Sequence, residues 1–82
     1  MQEKAVRFLI RAKLADGALP QRRMPRAWGS PGAGQRCDAC EETITQQQFA
    51  MTASAVERGG RAFHFHVRCF GAWDASIVGT GR

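Results

Sequence analysis

Tyrosine is absent from the 82 residues, no apolar run comes near a membrane span, and the cysteines number only three. Each shortage closes off a class of protein. A transmembrane helix needs about 18 consecutive apolar residues, so none is expected. An odd cysteine count cannot pair off completely, and the N-terminal stretch MQEKAVRFLIRAKLADG carries charges where a secretory signal would have a clean apolar run. A disulfide scaffold is therefore disfavoured. The expected setting is intracellular and reducing, the cytoplasm, with the cysteines kept as thiols or metal ligands. A mitochondrial transit helix would suit the arginines but not Glu3 and Asp16. There is no Ser/His/Asp set, and GSPGAG at 29–34 lacks a following Lys-Ser/Thr and follows no clear strand, so it is not a phosphate loop. Without a usable catalytic constellation the chain reads as a non-enzyme. No internal repeat is visible.

What is present is unevenly distributed. The net charge is +5, and residues 1–36 hold eight Lys/Arg against Glu3 and Asp16, whereas residues 37–82 hold four Arg against five carboxylates. All of the positive excess lies in the first half. A chain of 82 residues is one domain at most, and it buries too little apolar surface to be comfortable on core packing alone. A staple of another kind is expected.

Three segments make up that single compact unit: residues 1–17, 18–36 and 37–82. In the first, EKAVRFLIRAKLA at 3–15 sets Ala5, Val6, Phe8, Leu9, Ile10, Ala12 and Leu14 on a broad apolar sector at helical spacing, with Lys4, Arg7 and Arg11 on the opposite ridge. Asp16-Gly17 followed by Pro20 is a helix stop. So wide an apolar sector should pack on the rest of the chain or on another copy. The second segment, ALPQRRMPRAWGSPGAGQR, holds all three prolines and four arginines and keeps neither a period of 2 nor one of 3.6. It reads as an irregular basic arm, docked through Trp28 and Met24. In the third, residues 47–56 alternate with Phe49, Met51, Ala53 and Ala55 on one side, and residues 61–65 alternate with Phe63 and Phe65. Glu57-Arg58-Gly59-Gly60 supplies turn residues between them, making a β-hairpin. Beyond it Phe70, Trp73 and Ile77 fall at i, i+3 and i+7, a short helix with one buried face. The fold class is α+β, and Phe49, Met51, Phe63, Phe65, Phe70 and Trp73 are its expected core.

The chemistry lies in two short motifs. Cys37 and Cys40 form a CxxC, and 25 residues later His66 and Cys69 form a HxxC. Three cysteines and a histidine are a complete tetrahedral set for one structural zinc, which takes thiolate sulfur at about 2.3 Å and imidazole nitrogen at about 2.0–2.1 Å. A CxxC turn aims both sulfurs at one point, and residues i and i+3 at a helix start share a face. His64 is the competitor, but with Phe63 and Phe65 inward it points away from the packing side of its strand, so His66 is assigned. Glu41, Glu42 and Asp74 are candidates to hold the second imidazole nitrogen of His66. The order of knuckle, hairpin and helix resembles the treble-clef zinc finger, and CxxC with HxxC is similar to one zinc module of the LIM type. Phe65-His66 followed by Cys69-Phe70 and Trp73 looks like small bacterial zinc-binding proteins. The resemblance spans roughly residues 36–78. It implies a metal site at Cys37, Cys40, His66 and Cys69, in a treble-clef-like topology.

Two functions follow from the rest of the chain. Lys4, Arg7, Arg11 and Lys13 on the helix, with Arg22, Arg23, Arg26 and Arg36 in the arm, can meet phosphates, and Trp28 among them can stack on a base. The other is a zinc-stapled protein adaptor, dimerising through the wide apolar sector of the N-terminal helix. Nucleic acid is marginally favoured, because the basic excess is concentrated. A basic helix lying on an anionic membrane surface is a weaker third reading. No small-molecule substrate is expected.

Overall fold

A computed structural model describes residues 3–22, 24, 26–54 and 61–80. The chain runs through helix α1 (Glu3–Asp16), strands β1 (Arg26–Pro31), β2 (Phe49–Ser54) and β3 (Ala62–His66), and helix α2 (Val67–Thr80). The strands form one antiparallel sheet in the order β1-β2-β3. This is the expected α+β class.

Helix α1 stops where its sequence says it should. Gly17 takes φ +84°, a conformation open to glycine at little cost, and the Asp16 carboxylate accepts the Ala18 N–H at 2.9 Å. Of its wide apolar sector only Val6, Ile10 and Leu14 are buried, one ridge at i, i+4 and i+8 that faces α2. Phe8 remains 72% exposed, with Ala5 and Ala12 also outside. The sector is thus wider than the surface its own chain offers to cover it.

The second segment departs from expectation. Residues 26–31 form a strand, paired in register from Arg26↔Ser54 to Pro31↔Phe49. Proline and glycine hid it: Pro31 sits at the strand end on the sheet edge, where a missing N–H is tolerated, and Gly29 breaks the apolar alternation. From Gly32 the backbone stays bonded to the loop before β2, with Gly32 N–H donating to Gln48 O, Gly34 N–H to Ile44 O, Ile44 N–H to Gln35 O and Cys37 N–H to Glu42 O. A Cβ on Gly32 would lie 2.0 Å from the Thr45 carbonyl oxygen, so only glycine fits. Trp28 does not anchor the segment inward, being 47% exposed, whereas Met24 packs on the core. The residues expected to form the hairpin turn, Glu57 to Gly60, lie outside the described residues, as do Ala55, Val56 and Arg23.

The core sits between α2 and one face of the sheet. Trp73 (1% exposed) stacks on Phe65 with centroids 5.1 Å apart, and Phe70 meets Phe65 edge-on at 5.8 Å. The Trp73 indole N–H donates to Pro20 O at 2.9 Å, which ties the segment after α1 to α2. One expected core residue needs correction. Phe49 is 52% exposed, because it pairs only with Pro31 and lies beyond the last β2–β3 pair, Ala50↔His66. Met51 and Phe70 are half-buried at the core's margin. As the central strand, β2 instead buries Ala50 and Thr52 on its other face.

Candidate metal centre

The Sγ atoms of Cys37, Cys40 and Cys69 and a ring nitrogen of His66 all lie within 4.8 Å of one another. The elements explain the convergence. The ladder from Gly34 to Cys37 against Glu42 to Ile44 closes a tight turn, with Glu41 N–H donating to Cys37 O and Cys40 N–H to Cys37 Sγ. His66 is the last residue of β3 and Cys69 lies in the first turn of α2, so a strand end and a helix start present both ligands to the turn. The His66 Nδ1 lies 3.4 Å from Cys40 Sγ and 3.9 Å from Cys69 Sγ. Its Nε2–H donates to the Thr43 carbonyl at 3.3 Å, leaving Nδ1 as the free lone pair. Thr43 therefore takes the place expected of Glu41, Glu42 or Asp74. A backbone carbonyl leaves no trace in residue type, so the sequence offered no signal for it.

Three buried thiols around one point cannot all ionise unaided. A hydrogen bond from the Cys69 thiol, helped by backbone N–H groups, holds Cys37 down to about 4 against burial. The same bond, burial and nearby sulfurs push Cys69 up, and burial foremost pushes Cys40 up. The cluster alone keeps one negative charge, and a divalent cation would draw out the others. The donor set fits such an ion: soft sulfurs and an oriented imidazole, all facing inward, can hold one metal.

Charged residues brace the turn. Asp38, inside the CxxC, acts as an extra strand against β3: its N–H donates to His64 O at 2.7 Å and its carboxylate accepts the His64 N–H at 2.8 Å. Arg61 pairs with the same carboxylate at 3.3 Å. Lys13 reaches over from α1 to the Asp38 carbonyl at 2.9 Å and to Glu41 at 2.7 Å, and Arg36 meets Glu41 at 3.1 Å. Glu41 has φ +70°, where such turns often carry glycine, and its carboxyl is held below the ordinary range by the Lys13 ammonium first and Arg36 second. His64 stands apart from the cluster, half-buried, with Nδ1 3.1 Å from Thr52 Oγ1.

The basic residues expected to meet nucleic acid are not gathered in one patch. Lys4, Arg7 and Arg11 are exposed on α1, Arg22 on the following loop, and Arg26 and Trp28 on β1, an element that makes no contact with α1. Lys13 and Arg36 are committed to Glu41. A cleft of about 580 Å³ opens beside the cluster, with Cys40, His66, Cys69, Phe49 and Val67 in its walls. No helix among the described residues is long and apolar enough to cross a membrane. No protein-family model, curated protein or solved structure matches the chain.

Proposed function

We propose that this chain is a non-enzymatic module folded around one structural zinc and that it binds nucleic acid. The observation that carries the metal is the convergence of three sulfurs and an imidazole within 4.8 Å. A sulfur-rich tetrahedral set is the usual structural zinc site, and knuckle, hairpin and helix follow each other as in a treble clef. Four protein donors would fill the sphere, leaving no open position for a substrate or an activated water, which supports a structural over a catalytic role.

Nucleic acid is supported by charge. Two of the five acidic residues in the second half serve the turn, Asp38 with Arg61 and Glu41 with Lys13 and Arg36. Lys4, Arg11, Arg22 and Arg26 are left on the surface of a chain of net charge +5. Titrating the zinc-loaded protein into labelled DNA and RNA at several salt concentrations tests this. Affinity should fall linearly on a log–log plot as salt rises, and salt-insensitive or absent binding would refute it.

Phe8, 72% exposed between Ala5 and Ala12, favours a second reading as a protein-interaction adaptor or homodimer through α1. Such a dimer would persist at high salt and dissociate on dilution. Phe8→Ser would abolish it.

A further inference from the structure

The sheet has two unlike faces. Ala27, Ala53, Phe63 and Phe65 lie on the face that α2 covers. The register places Trp28, Thr52 and His64 in one cross-strand row on the other face, against which no described helix packs. In this row Thr52 is buried and its hydroxyl meets His64 Nδ1 at 3.1 Å, which sets the imidazole at the side of the row away from Trp28. Trp28 is 47% exposed, an expensive place for an indole unless something flat is to lie on it.

The charge of this face narrows what that is. None of the three strands contains Asp or Glu, and Arg26, two residues before Trp28 on the same side, is exposed. Ser30 and Ser54 add hydroxyls at its margins. An open ring, a guanidinium and neutral hydrogen-bonding groups, with the Asp38 carboxylate beside His64 already paired with Arg61, complement a ligand that carries flat rings on an anionic backbone. Aromatic platforms beside cationic grooves hold single strands in this way. In a duplex the base faces are already stacked and closed to an indole.

We propose that this face of the sheet docks single-stranded nucleic acid, with a base stacked on Trp28, a phosphate on Arg26, and His64 at the far side of the row. It rests on the nucleic-acid reading above and names its surface. Trp28 and Trp73 are the only tryptophans, and Trp73 is buried with its N–H bonded to Pro20 O, so fluorescence quenching reports Trp28.

The test titrates the full zinc-loaded chain with a short mixed-sequence single-stranded DNA and with its duplex, reading indole fluorescence and labelled-DNA anisotropy together. Stacking of this kind is worth about 1–3 kcal/mol per base, so Trp28→Ala should weaken the single strand roughly 5- to 150-fold. Trp28→Phe should keep most of the affinity while the quenching disappears. Arg26→Gln should lower the salt slope by about one. Zinc content and circular dichroism confirm that each variant is folded. Binding of the single strand without quenching, with Trp28→Ala equal to the parent, overturns this surface; if Lys4→Gln with Arg11→Gln then abolishes binding, the nucleic-acid reading stands through α1. Preference for the duplex likewise overturns it. Binding of neither DNA, nor of a single-stranded RNA of the same sequence, overturns both.

Discussion

Single side chains decide the metal centre, and they divide sharply into those that hold it and those that resemble holders. Two histidines stand two positions apart on β3 and so share a face of the strand, yet their places along it send them to different work: His66, at the strand end, turns Nδ1 to the sulfurs while His64 bonds Thr52. Cys37→Ser and Cys69→Ser should therefore lose zinc and folded structure together, whereas His64→Ala should retain one zinc per chain by native mass spectrometry. Ionisation adds a second expectation. Without metal the chain is expected to lose its fold, so its three thiols meet zinc near their ordinary value of about 8.5, and zinc binding at pH 7 should release about three protons, fewer as pH rises through that value. Calorimetry in buffers of different ionisation enthalpy reads that number. The ligands were legible in the sequence because residue type and spacing carry them. Thr43 was not, since it acts through its carbonyl, nor was Asp38, whose role depends on β3 lying beside the CxxC turn.

At the scale of elements, periodicity revealed α1, β2, β3 and α2, and concealed β1. The concealed strand pairs through backbone groups while its side chains alternate Arg, Ala, Trp, Gly, Ser and Pro, which offers no apolar stripe to read. Pairing with β1 makes β2 the central strand; Met51 packs at the core's margin, while Phe49, beyond the last β2–β3 pair, stays exposed. Gly32 is the test of this connection. Gly32→Ala would drive a Cβ into the Thr45 carbonyl, and backbone there cannot yield cheaply. Overpacking of this kind costs typically about 1–3 kcal/mol, and the cost should appear as a lower denaturation midpoint together with weaker zinc affinity, because the same ladder leads into Cys37. On the helix side, Trp73→Ala removes a side chain 1% exposed, its stack on Phe65 and its bond to Pro20 O. Destabilisation of about 3–5 kcal/mol is expected from chemical denaturation. Unchanged stability would mean that α2 does not pack as described.

Over the whole molecule, the small size predicted from the sequence and the packing tell one story. The buried cluster is continuous from Val6, Ile10 and Leu14 through Trp73 and Phe65 to Cys37, Cys40 and Cys69, so the ligands are themselves part of the core. Lys13, bridging α1 to Asp38 and Glu41, adds a polar tie between the first helix and the metal turn. A core this slight gains most from an ion whose apparent binding free energy in small domains is about 10–16 kcal/mol and is coupled to folding. Metal removal should therefore cost α1 its seat as well as the turn its shape. The surface was less legible than the interior: the charge balance favours the proposed anionic partner, but that Lys4, Arg7 and Arg11 on α1 lie apart from Arg26 on β1, two elements that do not touch, appears only in three dimensions. Native mass spectrometry of the chain before and after chelation, with circular dichroism recorded on the same samples, tests the zinc-stapled fold most directly. One zinc per chain, lost in step with the helical and sheet signal, is the expected result; a chain that stays folded with no metal and three free thiols would contradict it.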